Sequence, residues 1–286
     1  MNGRPSGRGL ARHHRGMTRL HLGALTALYL LLNLISAGTG GLLLAIGFLA
    51  LAGGGYRLLP AATVMRMRRA DPAPASIAAR LDALLSPLAR RAALEQRPTL
   101  WLLPRPDINA LCVQGSDGDA LALSVGALRE CPPEEVAAIC AHELAHLANG
   151  DQALMQIASF THAVTLTLGL FIVLMGLLAL PLRLLFDVEA PAPSAWLAGL
   201  LLPPLSLLVF QSLARTRELA ADLTAARWMG DPGPMAKVLL RIARFEAAMA
   251  RIGPTLRVPA WLSSHPPVDT RLAQLDALAR SEDGGR

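Results

Sequence analysis

Two long apolar blocks, residues 20–59 and 161–213, constrain this chain more than any other feature of its sequence. The first holds no acidic residue, and apart from His21 its one basic residue is Arg57. A helix needs about 20 apolar residues to cross the hydrocarbon core of a membrane, so each block is long enough to cross twice. Gly38-Thr39-Gly40-Gly41 stands near the middle of the first block. Glycine is a poor helix former, which predicts a tight helical hairpin rather than one long buried helix. The second block has apolar runs at 161–180 and 194–213, separated by a stretch with Pro181, Arg183, Asp187 and Glu189. Pro203-Pro204 is expected to bend its second run.

The charge distribution agrees with insertion into a membrane. The net charge is +6 and Lys237 is the only lysine, so arginine carries the excess. A basic chain can bind nucleic acid, but 4% aromatic residues offer few stacking platforms, and no basic run is interleaved with them. The arginines cluster instead before the first apolar run, after the second and after the fourth. That pattern predicts both termini and the central polar segment on the cytoplasmic side. Residues 1–19, with Arg4, Arg8, Arg12, Arg15 and Arg19, are expected to be a disordered basic tail. Ser36-Ala37-Gly38 resembles a signal-peptide cleavage site, but a second apolar run follows at once, which favours an uncleaved anchor.

Between the blocks the chain reads as ordinary soluble protein. Asp71-Pro72-Ala73-Pro74 predicts a helix stop and linker. Helical spacing runs over 77–94, and short strands are expected at 99–103, 107–113 and 120–125, with a turn at 115–118. Pro132-Pro133-Glu134-Glu135 opens a helix reaching about Asn149. Three further amphipathic helices are expected at 215–229, 234–251 and 268–280. The division is therefore 1–19 tail, 20–59 first hairpin, 60–160 first part of a catalytic domain, 161–213 second hairpin, 214–280 second part, and 281–286 tail.

His142-Glu143-Leu144-Ala145-His146 lies inside one of these helices. Residues four apart share a helix face, so both imidazoles can reach one Zn²⁺, and Glu143 beside them can accept a proton from water. The plain alternative is two ordinary histidines on a half-buried helix. A catalytic zinc takes three protein ligands, and Arg215-Thr216-Arg217-Glu218-Leu219-Ala220-Ala221-Asp222 offers Glu218 as the third. Asp222, one turn later, is placed to accept the free ring N–H of a ligand histidine. An exposed helix face of alternating charges is the other reading of that stretch. Cys112, Cys131 and Cys140 contain no CxxC and are too few and too scattered for a disulfide framework or a cysteine metal site. Cys140 stands two residues before His142 and reads as a small buried apolar residue.

Taken together, His142–His146 with Leu147-Ala148-Asn149-Gly150-Asp151, a following hydrophobic hairpin, and Arg215–Glu218 with Ala221-Asp222 resemble the HtpX-type membrane zinc proteases. These are gluzincins related to the CAAX prenyl endopeptidases. The resemblance extends to Asn109-Ala110 and to Ser264-His265-Pro266-Pro267 with Arg271. It implies a mainly α protein with a small β-sheet (α+β), a gluzincin-like protease domain and two transmembrane helical hairpins. It implies one zinc held by His142, His146 and Glu218, with Glu143 as general base and Asp222 as its outer carboxylate. It also implies that Asn109 and Ala110 lie along the substrate, and that His265 stabilises the tetrahedral intermediate. Alternatively, Asn109 is a turn residue and His265 a loop residue. The implied protein is a multi-pass protease of the bacterial inner membrane, with a cytoplasmic catalytic domain acting on membrane or misfolded proteins. Leu111 and Leu219 depart from the aromatic residues usual in the family, which bears on the substrate groove. A prenyl-protein endopeptidase and an inactive, scaffolding zinc protein are the competing readings. The intact Glu143 argues against the latter.

Overall fold

The structure is a computed structural model describing residues 7–55, 58–94, 96–186, 192–249 and 265–283. In chain order it has α1 (Gly7–Gly55), α2 (Ala61–Met67), β1 (Asp71–Pro72), α3 (Ala75–Arg91), β2 (Thr99–Leu103), β3 (Ala110–Gly115) and β4 (Gly118–Ser124). There follow α4 (Val125–Glu130), α5 (Pro133–Ala148), α6 (Asp151–Phe186), α7 (Pro193–Met229), α8 (Gly233–Met249) and α9 (Val268–Asp283). Helices thus dominate around a small sheet. Asp71–Pro72, expected as linker, instead forms a two-residue edge strand against Trp101 and Leu102. An edge is where proline can join a sheet, because its missing N–H is not needed there.

The sheet order is β1-β2-β4-β3, with β2 parallel to β4 and β3 antiparallel to it. Side chains alternate across a strand, and β4 uses both faces. Leu121 and Leu123 enter the main core with Leu81 and Leu85 of α3 and Ile139 and Leu144 of α5. Ala120 and Ala122 face the other way, against Ala61 and Met65 of α2 and Trp101 and Leu103 of β2. A central strand covered on both sides explains why β4 is an apolar run rather than an alternating one. It also fixes β3 at the end of the sheet, beside α5.

α1, α6 and α7 form the apolar bundle. Among the described residues, three helical stretches are long and apolar enough to cross a membrane: His13–Ile35, Asp151–Leu182 and Pro193–Met229. Their outer faces carry exposed Leu170, Phe171, Leu174, Leu197 and Leu200, an apolar surface suited to lipid rather than water. Where four runs were expected, the stretch after Gly38 gives only the shorter apolar helix Gly38–Gly47 among the described residues. α7 is continuous from the bundle to Met229 through Pro203 and Pro204, so the fourth run and the helix expected at 215–229 are one element. Asp187, Glu189 and Pro191 lie outside the described residues.

Two findings concern the N-terminal region. The tail expected to be disordered is helical from Gly7. His14 explains how it is held, since its Nε2 lies 3.0 Å from Gln274 Oε1 on α9. The second finding is that α1, assigned as one helix of 49 residues, cannot be straight. Leu25 packs with Ala158 and Leu213, and Leu32 further along the bundle with Ile172, Ala198 and Leu202. Ile172 is about 30 Å along α6 from Gln152, and Gln152 is bonded to Gln114. Ala61 sits against the neighbouring Gly115, where an added Cβ would lie 2.1 Å from the Ala61 nitrogen. The chain leaving Leu32 therefore returns by roughly 30 Å before Ala61. Among the described residues of α1, Gly38 alone has a positive φ, +59°. Glycine takes that conformation without a steric cost, so the reversal falls in the glycine cluster.

Candidate metal centre

α5 supplies the first part of the site. Pro133 occupies its first turn, where the missing N–H costs nothing, and Glu134 and Glu135 lie at the positive end of the helix dipole. Nearly every later residue is buried, from Val136 to Leu147, because the helix is enclosed by the sheet, α3, α7 and α8. Cys140 is fully buried within this packing, an apolar core residue as its neighbours require. The rigid setting holds His142 and His146 one turn apart with ring centroids 4.7 Å from each other.

α7 returns from the apolar bundle and brings Glu218 to the same place. His142 Nε2 and His146 Nε2 are 3.1 Å apart. Glu218 Oε1 is 3.4 Å from His146 Nε2, and Glu218 Oε2 is 3.8 Å from His142 Nε2. A tetrahedral ion with bonds of about 2.0–2.2 Å separates its ligand atoms by about 3.3–3.6 Å, a spacing that the distances between the two Nε2 atoms and the Glu218 carboxylate bracket. His142, His146 and Glu218 form the group that could hold a metal ion among the described residues.

The far side of each imidazole strengthens that fit. His146 Nδ1 is 2.7 Å from Asp151 Oδ2. His142 Nδ1 is 2.9 Å from Asp222 Oδ1, a close contact that departs from ideal hydrogen-bond alignment. A carboxylate at Nδ1 fixes a proton there and turns the Nε2 lone pair inward. Two inward lone pairs and a carboxylate suit a cation between them. The same preference shows in His146: burial lowers its pKa, but Asp151 and Glu218 more than offset this and hold it at about 10. A cation binding at Nε2 displaces that proton, so binding is favoured as pH rises.

Asp151 was not singled out as a functional group from the sequence. Gly150, with φ +68°, lets the chain turn sharply from α5 into α6 and returns the next residue to His146. Arg217 of α7, buried, donates from Nε and Nη2 to Asp151 Oδ1 of α6 and from Nη1 to Thr18 Oγ1 of α1 at 3.2 Å. Asp222 is held in the same way by Arg271 of α9, at 2.6 and 2.7 Å. The signal available in sequence was weak, an acid five residues after His146 and an arginine beside Glu218. Neither position announces its partner.

A cavity of about 800 Å³ opens over the cluster. Glu143, Asn109, Ala110 and His265 all line it, while Asp222 lies behind His142. The Asn109 backbone is fixed by Ser124, whose Oγ accepts from the Asn109 N–H at 3.0 Å while its N–H donates to Asn109 C=O. His265 Nδ1 is 3.1 Å from Glu218 Oε2, so the structure places it against the third cluster member. Its pKa is raised by that hydrogen bond. Ser264 lies outside the described residues. Burial pushes the Cys112 thiol of β3 well up, as does neighbouring Glu143, so Cys112 presents a neutral S–H to that carboxylate.

A sequence model of peptidase family M48 matches residues 75–279. A curated protein named "Protease HtpX homolog" from Acaryochloris marina is 33% identical over 246 residues, covering 83% of this chain and 80% of its own. Proteins of the same name from Gemmatimonas aurantiaca and Acidiphilium cryptum are 28% and 29% identical, covering 86% and 92% of this chain and 97% and 96% of their own.

Proposed function

The chain belongs to peptidase family M48, and from that premise we propose that it is a zinc-dependent endopeptidase embedded in a membrane. The observation that carries the reading is the convergence of His142, His146 and Glu218 at 3.1, 3.4 and 3.8 Å, with Glu143 on the same cavity wall. In this reading the two histidines and Glu218 hold one Zn²⁺, which when bound polarises water and the scissile carbonyl. Glu143 accepts the water proton and later gives it to the leaving amine. Asp222 and Asp151 keep the imidazoles in the tautomer that presents Nε2. His265, at the cavity mouth beside Glu218, donates to the developing oxyanion. Asn109 directly precedes and Ala110 begins the edge strand β3, where an extended peptide is held by backbone pairing, which favours broad side-chain preference. Substrates of this chemistry are membrane or misfolded proteins with accessible extended segments. A chamber for prenyl chains would need more membrane helices than α1, α6 and α7 supply.

The domain division and topology belong to the same proposal. His142 and His146 precede the apolar insert and Glu218 follows it, so the insert crosses the membrane an even number of times. Arginine placement then puts residues 60–160 and 214–280 on the cytoplasmic side of a bacterial inner membrane. With Cys112, Cys131 and Cys140 replaced, Ala192→Cys should react with a membrane-impermeant maleimide on intact cells and Ser281→Cys should not. The reverse pattern overturns the orientation.

The activity is tested with the purified wild-type chain and its Glu143→Gln variant, comparing metal content and casein digestion with and without chelator. Glutamine keeps the shape and cannot act as the base. Both proteins should bind one zinc, and the variant should lose roughly 10²–10⁴-fold in rate. Wild-type turnover by Glu143→Gln would sink the mechanism.

A further inference from the structure

β3 is the end strand of the sheet, and its outer edge faces the cavity over the metal cluster. Parity identifies the groups on that edge. Asn109 C=O accepts from Ser124 N–H of β4, so odd-numbered residues turn toward the sheet. Even-numbered residues turn outward. Two of their groups already have a partner. Gln152 Oε1 accepts from Gln114 N–H at 2.5 Å, and Gln152 Nε2 donates to Cys112 C=O, lying 3.4 Å from Cys112 Sγ. Past Gln114 the strand is closed by a second contact, Ala61 against Gly115, with Ser116 N–H donating to Leu59 C=O at 3.1 Å. On the cavity side of Gln152 the outward groups that remain are those of Ala110 and the Cys112 N–H, both on the cavity wall, while Gln114 C=O lies beyond it.

We propose that Gln152 is a specificity-determining residue whose carboxamide takes the place of one substrate residue's backbone N–H and C=O on β3 and ends strand pairing at Cys112. This rests on the endopeptidase reading. A carboxamide offers one C=O and one N–H, the pair that a single extended residue turns toward a neighbouring strand, and here it meets a strand acceptor and a strand donor together. Its tether makes it a high local concentration of competitor that an incoming peptide must displace. Gln152 also directly follows Asp151, which holds His146, so the stop stands at a fixed distance from the reacting centre. The enzyme therefore grips only a short extended segment on the Gln114 side of the scissile bond. It accepts substrates in which little chain on that side is free to extend.

The test uses the full chain in detergent carrying Glu143→Gln, with and without Gln152→Ala. The probes are fluorescein-labelled peptides built on a casein sequence that the wild-type chain cuts. One is short, and two are lengthened by four residues at one end or the other. Fluorescence anisotropy gives their Kd values. Gln152→Ala should tighten binding of one lengthened peptide about threefold to tenfold, the worth of one or two net backbone hydrogen bonds. The short peptide and the one lengthened at the other end should be unaffected. Gln152→Glu keeps the acceptor for Gln114 N–H and repels Cys112 C=O, and should give a smaller gain for the same peptide; it decides the matter if the alanine variant melts early. Equal or weaker binding of all three peptides by both variants overturns the role of Gln152 and leaves the endopeptidase reading standing. A wild-type chain that holds no zinc and cuts no casein overturns both.

Discussion

The candidate metal site and the apolar bundle meet on the same helix, α7, yet are held together by opposite means. Around the cluster the ordering contacts are between charged or polar side chains, most of them far apart in sequence. Arg217 holds Asp151, which holds His146, and Arg271 holds Asp222, which faces His142. In the bundle the polar side chains mostly bond back to their own helix, as Thr161 does to Ile157 and Thr165 to Thr161. His162 with Ser206, at 2.8 Å, is an exception that crosses from α6 to α7. What brings these helices together is close backbone approach. A Cβ on Gly169 would lie 2.8 Å from Gly199 C=O. Lipid is as apolar as leucine, so helices in a membrane gain most from small residues that let them touch. The cluster depends on particular atoms, whereas the bundle depends on shape, and the two regions should tolerate substitution very differently.

The largest effect is expected at Glu218. If Glu218 holds zinc as proposed, Glu218→Ala removes a ligand outright and should weaken zinc retention by more than about 100-fold, beyond what loss of an outer partner does. Metal analysis after dialysis measures it, and a variant that keeps full zinc and full activity shows that the third ligand lies elsewhere. Asp151→Asn should cost about 10–100-fold in metal affinity or activity through His146. It also leaves the Arg217 charge buried beside a neutral group, so melting should fall along with zinc affinity; loss of a buried partner costs about 3–5 kcal/mol. Unchanged metal affinity would make Asp151 a purely structural residue.

The bundle should respond more weakly and only in stability. Gly169→Leu forces α6 and α7 apart and should destabilise by about 1–3 kcal/mol, while the fraction that folds digests casein at the normal rate. A folded but inactive Gly169→Leu protein would mean that helix spacing reaches the cluster through α7. The smallest effect is expected at Leu174, which is 60% exposed on the outer face of α6. Leu174→Ala should change stability by no more than about 0.5 kcal/mol. A larger loss in thermal melts would reveal a packing partner for that face.

Local pattern made much of this protein legible. Four-residue spacing put His142 and His146 on one face, and acids and proline marked the start of α5. Turn residues placed the β3–β4 hairpin, and the glycine cluster marked the reversal in α1. Each of these depends on neighbours in the chain, so a sequence displays them directly. The N-terminal tail was misjudged because its order comes from His14 meeting Gln274, 260 residues away. The break expected before Arg215 was misplaced because α7 is supported first by the bundle and then by α5, and packing carries the helix across the boundary.

The sequence by itself determined the apolar blocks, the helix bearing the histidines and the residue types able to bind a metal, since composition and period need no partner to be read. Tertiary structure alone decided which carboxylate stands behind which imidazole, that Arg217 ties Asp151 to α1, and that Gln152 closes the edge of β3. A buried charge or an unpaired strand edge must find a partner wherever packing supplies one. That choice depends on distances between elements, which no spacing along the chain records.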